Sequence, residues 1–299
     1  MSGWLISLEG TAQGKDLALA LALMAAVLHA LFGALQKGRH DPWLSRAAID
    51  ACYGLIAAPF AFFVVPWPEP HMWVIFAGAF VIHAAYKVAQ AMTYTRGAYT
   101  VVYPVVRGTG PLFTVIAAGL VFGEVYAPGQ WLGVAVLVAG ILGLAAWNLT
   151  HVTLNRDRMV PALGFAVLTG ALVAAYTTYD AWGIRATADP FTFLAWFFML
   201  DGIFIPVVTA GRWRKLPLSE VGPLLRRGLL GAFVAFFSFG AIMLATRLDK
   251  VGEAAVLRET STVFAALIGW LVLGEKVGRV QVALMALIAL GAVMMEFAG

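Results

Sequence analysis

The chain has 299 residues, 62% of them hydrophobic and 12% charged, with a net charge of +4 and a mean hydropathy of +0.86. Soluble domains carry about 25% charged residues and less than half apolar ones. A soluble enzyme, a disulfide-rich secreted domain and a disordered chain are therefore excluded, and a polytopic membrane protein remains. The Lys and Arg residues fall mostly between apolar runs, the pattern of topology control and not of a nucleic-acid-binding face. The single cysteine, Cys52, can form no intrachain disulfide.

In chain order, residues 1–14 hold three glycines with little periodicity and predict a loose or peripheral segment. A helix needs about 20 apolar residues to cross a hydrocarbon core of roughly 30 Å. Runs of that length are 17–37, 46–65, 72–95, 98–122 and 129–149, then 159–182, 190–211, 228–247, 251–274 and 277–298. The first is too long for a cleaved signal, whose apolar region is about 7–15 residues, and it is read as a retained helix. The fold class is an all-α polytopic membrane protein with ten transmembrane helices. The runs are continuously apolar, without the alternation of an outer-membrane barrel.

With the N-terminus outside, the cytoplasmic connections hold thirteen Lys or Arg residues and the opposite face four, namely Lys15, Arg185, Arg247 and Lys250. That bias predicts periplasmic termini in a bacterial inner membrane.

Shifting the chain on itself by 151 residues aligns 91–146 with 242–297, with fourteen of 56 positions identical. The identities include Arg96/Arg247, Arg107/Arg258, Thr109/Thr260, Gly123/Gly274, Glu124/Glu275 and Gln130/Gln281. Five spans per repeat is an odd number, so the two halves, 1–150 and 151–299, enter the membrane from opposite sides. Inverted repeats of this kind build two interconvertible gates around one midplane site.

These residues resemble a known family. Pro111-Leu112-Phe113, Gly123-Glu124, Gln130-Trp131-Leu132-Gly133 and Gly140 are similar to the EamA-type repeat of the drug/metabolite transporter superfamily. The second copy keeps Phe264, Gly274-Glu275, Gln281 and Gly291 but has Thr262 for the proline and Leu284 for the first glycine. Within the superfamily, the length, helix count and intramembrane aromatic polar residues look most like bacterial aromatic amino-acid exporters. The resemblance implies secondary export of a small metabolite.

The shared motif reads as structural. Gly123 and Gly274 suit a left-handed helix end, and Glu124 and Glu275 lie just ahead of the next helix, where a carboxylate meets the positive dipole end. Gly119, Gly129 and Gly133 permit close helix packing.

Ionisable groups inside a span cost about 2.5–3.5 kcal/mol each on insertion scales and therefore face a cavity or a partner. His83, Tyr86, Lys87, Gln90 and Tyr94 share one face of the third span. Tyr99, Tyr103 and Arg107 repeat the pattern on the fourth, with Pro104 and Pro111 bracketing Arg107. The first span offers His29, Gly33 and Gln36, the sixth Thr169, Tyr176, Tyr179 and Asp180, and the ninth Glu253, Arg258 and Glu259. The expected substrate site lies between the repeats, lined by His83, Tyr86, Lys87, Gln90, Tyr99, Tyr103, Arg107, Tyr176, Tyr179 and Arg258. Arginine supplies a fork for a carboxylate; tyrosine rings supply apolar walls and cation–π contact for an ammonium. An aromatic or branched amino acid fits these groups. Proton carriage falls to His29, His83, Glu253 or Glu259.

Blander readings stand beside these. His29 or His83 alone reads equally as a neutral histidine bonded to a neighbouring helix, and Arg258–Glu259 as a packing ion pair. Asp201 reads as a bonded structural carboxylate, and Asp50 as an interfacial partner of Arg46. Catalysis lacks its motifs: the five histidines have no metal-ligand spacing, and no G-x-S-x-G elbow or Walker motif is present. The expectation is no catalytic residue, no metal and no cofactor, with a small-molecule substrate, the lipid bilayer and no nucleic acid as partners, in a protein functional as a monomer. The alternatives are export of another solute or of a drug cation, or a receptor or scaffold without solute flux.

Overall fold

The computed structural model describes residues 2–36, 41–97, 99–151, 156–271 and 278–299. The short α1 (Gly3–Ser7) precedes α2 (Ala12–Gln36), so the N-terminal segment, expected to be loose or peripheral, is helix and turn. Then come α3 (Pro42–Phe63), α4 (Met72–Arg96), α5 (Tyr99–Phe122) and α6 (Pro128–His151). The second half runs α7 (Arg156–Arg185), α8 (Pro190–Asp201), α9 (Phe204–Val208), α10 (Ala210–Trp213), α11 (Leu218–Leu248), α12 (Val251–Arg258), α13 (Ser261–Leu271) and α14 (Arg279–Phe297). Among the described residues, nine segments are long and apolar enough to cross a membrane.

The predicted ninth span, 251–274, departs from expectation. It is two helices, α12 and α13, separated at Glu259–Thr260. The seventh is also interrupted: α8 stops at Asp201, Gly202 caps it, and α9 begins at Phe204. Each break places a carboxylate at a helix end. The Gly274-Glu275 junction lies outside the described residues.

Helix starts follow local chemistry. Asp41 accepts from the Trp43 N–H at 2.8 Å ahead of α3, and Asp189 accepts from Phe191 and Thr192 N–H ahead of α8, each followed by proline at the first turn. Gly123 has φ +66° at the end of α5, the left-handed conformation anticipated there.

Packing pairs α6 with α14, α5 with both α6 and α7, α4 with α7 and α8, α11 with α2 and α3, α3 with α8, and α2 with α12 and α13. On α6 and α14 the backbones meet at glycines: a Cβ on Gly133 would lie 2.8 Å from the Gly291 carbonyl oxygen. Large apolar side chains such as Leu55, Val74, Val81 and Leu120 face outward, while charged side chains are buried within. That inside-out distribution suits a bilayer, where the apolar surface needs no cover from water.

Candidate functional site

The central polar cluster is built around Lys87 of α4. Its ammonium lies 2.8 Å from Asp50 Oδ2 on α3 and 2.9 Å from Asp201 Oδ1 at the end of α8. It also donates to the Asp201 carbonyl at 3.0 Å, an acceptor freed by the end of α8, and to the Tyr53 hydroxyl at 3.3 Å. Tyr53 donates to the second Asp201 oxygen, and Arg46 Nε to Asp50 Oδ1 at 2.6 Å. One turn away on α4, His83 Nε2 is 2.8 Å from Asp180 Oδ2 on α7, and its Nδ1 is 3.8 Å from Asp201 Oδ1. The His83 ring packs on Tyr176 and Phe197, and Tyr176 on Tyr86. Gln90 donates to the Tyr86 hydroxyl at 2.6 Å.

One of these placements corrects the sequence reading. Asp50 is not interfacial: it is 0% exposed, and Lys87 is its second partner beside Arg46. Asp201, expected as a bonded structural carboxylate, is bonded, with Lys87 and Tyr53 on its two oxygens, but it belongs to the central cluster.

A second cluster sits at the break in the ninth span. Arg107 Nε is 2.7 Å from Glu259 Oε2, and its Nη2 donates to Ser261 Oγ at 2.9 Å. Tyr103 lies beneath the Arg107 guanidinium at 5.8 Å. Arg258 Nε is 3.7 Å from the other Glu259 oxygen, beyond hydrogen-bond reach, and is buried without a hydrogen-bond partner. Asp180 Oδ1 and Thr177 Oγ1 are buried and unpartnered in the same way. All three residues line one small cavity of about 10 Å³, walled by Tyr176, Phe239, Ile242, Met243 and Thr246.

That cavity is one of a series. A second, also about 10 Å³, is lined by Arg46, Tyr53, His83, Tyr86, Asp201 and Phe239. A third of about 110 Å³ is lined by Trp43, Arg46, Lys87, Gln90, Tyr94 and Thr95. Phe239 borders the first two and Arg46 the last two, and the third lies at the end of the molecule where α3 begins and α4 stops. Tyr53 borders a separate apolar cavity of about 260 Å³ walled by Ile56, Phe60, Phe191, Leu194, Phe233, Phe236 and Phe237.

The expected site residues therefore fall in two places. His83, Tyr86, Lys87, Gln90 and Tyr176 are in or beside the first cluster, and Tyr103, Arg107 and Arg258 in or beside the second. Tyr179 stands apart, half-buried against Trp182 with its hydroxyl over Gly78. The side chains of Tyr99, Gly33 and Gln36 lie outside the described residues. Of the proton candidates, His29 is half-buried between Phe32 and Phe239, and Glu259 belongs to the second cluster. Glu253 lies near the far end, accepting from Gln130 at 2.7 Å and paired with Lys250 at 3.1 Å.

Glu124 also differs from expectation. Its carboxylate meets a helix N-terminus, but that of α12 and not of α6. It accepts from the Val251 and Gly252 N–H groups at 2.8 and 3.2 Å and from the Tyr126 hydroxyl. Burial, with Glu124 adding to it, pushes Tyr126 above the usual phenol range, so it stays a donor. Arg185 and Arg247 close the same end by donating to carbonyls of Thr246, Asp249, Ile184 and Thr187.

Residues 160–297 match the model of the EamA-like transporter family. A solved crystal structure of a protein superposes with a TM-score of 0.72 at 19% identity, covering 96% of this chain and 99% of its own. At that identity the likeness shows the fold alone. No curated protein gives a significant match.

Proposed function

We propose, from the premise of an EamA-like transporter domain, that this chain is a secondary exporter of amino-acid zwitterions, with aromatic side chains favoured. The observation that carries the reading is the pair of opposite, unsatisfied poles in one cavity: Arg258 Nε for a carboxylate and Asp180 Oδ1 for an ammonium. The surrounding balance reinforces each pole. The second cluster holds two guanidinium groups against one carboxylate, and the first holds Arg46 and Lys87 against Asp50, Asp180 and Asp201. A drug cation would leave Arg258 Nε without a hydrogen-bond partner, and a phosphate ester would leave Asp180 Oδ1 without one. The apolar cavity beyond Tyr53 offers an aromatic side chain its compartment.

Alternating access follows from an inverted five-helix repeat, residues 1–150 against 151–299. The helix contacts support it. Exchanging each span with its counterpart five positions on turns the α5–α7 contact into α2 with α12 and α13. It likewise turns α4–α7 into α2–α11, and α3–α11 into α4–α8. The protein is placed in a bacterial inner membrane as a functional monomer with periplasmic termini. Ser2–Asp189, Glu9–Arg247 and Lys250–Val125 then bond at the outer end, and Asp41–Arg212 at the cytoplasmic end. The cavity of about 110 Å³ then lies at the cytoplasmic end, and the bonded Glu124, Arg185 and Arg247 lie at the outer end, which supports loading from inside.

The test is a counterflow screen in proteoliposomes across the twenty protein amino acids, nucleosides and cationic drugs. Saturable exchange of aromatic amino acids is expected. Exchange of cationic drugs alone, or no flux for any solute, contradicts the reading.

A further inference from the structure

Between α3, α8 and α11 lies the apolar cavity of about 260 Å³, which shares Tyr53 with the polar cavity around Arg46, His83 and Asp201. We propose that it is a lipid site: in the absence of substrate one acyl chain of a bilayer lipid fills it and ends against the Tyr53 ring. The site stands on the cavity and its surroundings. That an aromatic substrate side chain displaces the acyl chain rests on the zwitterion reading.

Mouth and floor differ. At the rim Phe60, Phe233 and Phe237 are half exposed, and Leu230, Phe233 and Phe237 follow at helical spacing on the outward face of α11. The opening is therefore continuous with the apolar surface that a membrane-spanning chain turns to hydrocarbon. The floor is buried, and Ala57, Ala195 and Ala232, one from each of the three helices, give it depth where larger side chains would fill it. Along α3 the lining runs from Tyr53 to Phe60, about 10 Å at 1.5 Å per residue. Half of a hydrocarbon core is about 15 Å, so the slot has the length of a chain lying along the helices. Its one polar side-chain group is already engaged, because the Tyr53 hydroxyl donates to Asp201 and accepts from Lys87. Water or a lipid headgroup would find no partner there. Apolar cavities of this kind stay dry and take hydrocarbon ligands, which restore the dispersion contacts of the lining. The medium at the mouth supplies that hydrocarbon.

A row of rings connects the slot with the central cluster. Phe237 packs on Phe236 at 5.5 Å, Phe236 on Phe198 at 4.9 Å and Phe198 on Tyr53 at 5.4 Å between centroids. Tyr53 and Phe198 also wall the polar cavity beside His83 and Asp201. An acyl chain in the slot thus presses on the ring whose hydroxyl holds Asp201. A substrate side chain that crosses this wall enters the same closed end, where it and the acyl chain exclude each other.

The experiment reconstitutes the full chain in phosphatidylethanolamine–phosphatidylglycerol vesicles. These carry a trace of phosphatidylcholine with a diazirine near the methyl end of one acyl chain, and the photolabel is mapped by mass spectrometry. The wild type is expected to carry label on the floor, at Ala57, Leu194 and Ala232, as well as on outward residues such as Leu55 and Val81. Label on Leu55, Val81 and the rim alone overturns the site. Ala232→Phe should lose the label at Ala57 and Leu194 and keep it at Leu55 and Val81; undiminished floor label in that variant overturns the assignment to this cavity. Should Ala232→Phe not fold, Ala195→Leu fills the slot from α8 and is read in the same way. Saturating L-tryptophan should deplete the floor label of the wild type. Floor label unchanged by tryptophan, in vesicles that show tryptophan counterflow, overturns the displacement and leaves the lipid site. Absence of flux for all twenty amino acids removes the zwitterion reading and the displacement with it, while the floor label alone decides the lipid site.

Discussion

Lys87 is held by two carboxylates from different helices, so its loss leaves Asp50 with Arg46 alone and Asp201 with the Tyr53 hydroxyl, one buried negative charge short of its cation. Breaking a buried pair from one side costs about 3–5 kcal/mol. Lys87→Met is expected to lower thermal stability in detergent by that order, and Lys87→Met with Asp50→Asn to recover part of the loss. A single variant as stable as the wild type would show that Lys87 does not organise the cluster. Asp201→Asn is also expected to be destabilising, because it removes the charge facing Lys87 and one of the two oxygens that accept from Lys87 and Tyr53. Half of this cluster was legible in the sequence: the 3.6-residue period puts His83, Tyr86, Lys87 and Gln90 on one face. The other half was not. Asp50, Asp180 and Asp201 stand 37, 97 and 114 residues from their partners on α4, and no local pattern encodes such a pairing.

At the level of elements, α12 is the pivotal piece. Every one of its residues is buried, its N-terminus is capped by Glu124 and its C-terminus carries Arg258 into the cavity. A carboxylate at a helix N-terminus is worth about 0.3–1 kcal/mol, up to about 2 when partly buried. Glu124→Ala therefore loosens the outer end. A cysteine placed at Ala254 in a Cys52→Ser background should react faster with a membrane-impermeant thiol reagent from outside; an unchanged rate would show that Glu124 does not hold this end shut. Gly133→Leu should part α6 from α14, because a Cβ there meets Gly291 and Met295 backbone at 2.8 Å. Lower folded yield on size-exclusion chromatography would record it. Hydropathy and length found the spans, and Gly123 announced its left-handed turn. The sequence-level motif reading put Glu124 on the nearest helix, since the start of α12, 127 residues away, is brought to it by tertiary packing alone. The interruption at Glu259–Thr260 also escaped notice: no proline or glycine marks it, and its support is the Arg107 side chain from α5.

For the whole molecule, the repeat and the asymmetry within it matter together. Scaffold features recur in both halves, whereas His83 and Lys87 correspond to Val234 and Ser238 in the repeat register, and Ser238 merely donates to the Ala25 carbonyl at 3.0 Å. A charged cluster whose α4 members have no ionisable counterpart in the other half suits one ligand with two different ends. A C-terminal phosphatase fusion should be active and a cytoplasmic fluorescent fusion dark, if the termini lie outside; the reverse pattern would invert the topology and the direction of loading. The most direct measurement of the two-pole site is competition against L-tryptophan counterflow by tryptamine, which lacks the carboxylate, and by indole-3-propionate, which lacks the ammonium. Losing one charged contact of this buried kind costs about 2 kcal/mol or more, so each analogue should compete at least about 30-fold more weakly than tryptophan. Arg258→Gln should erase the disadvantage of tryptamine, and Asp180→Asn that of the propionate. Equal competition by all three compounds in the wild type would contradict a site built from Arg258 and Asp180.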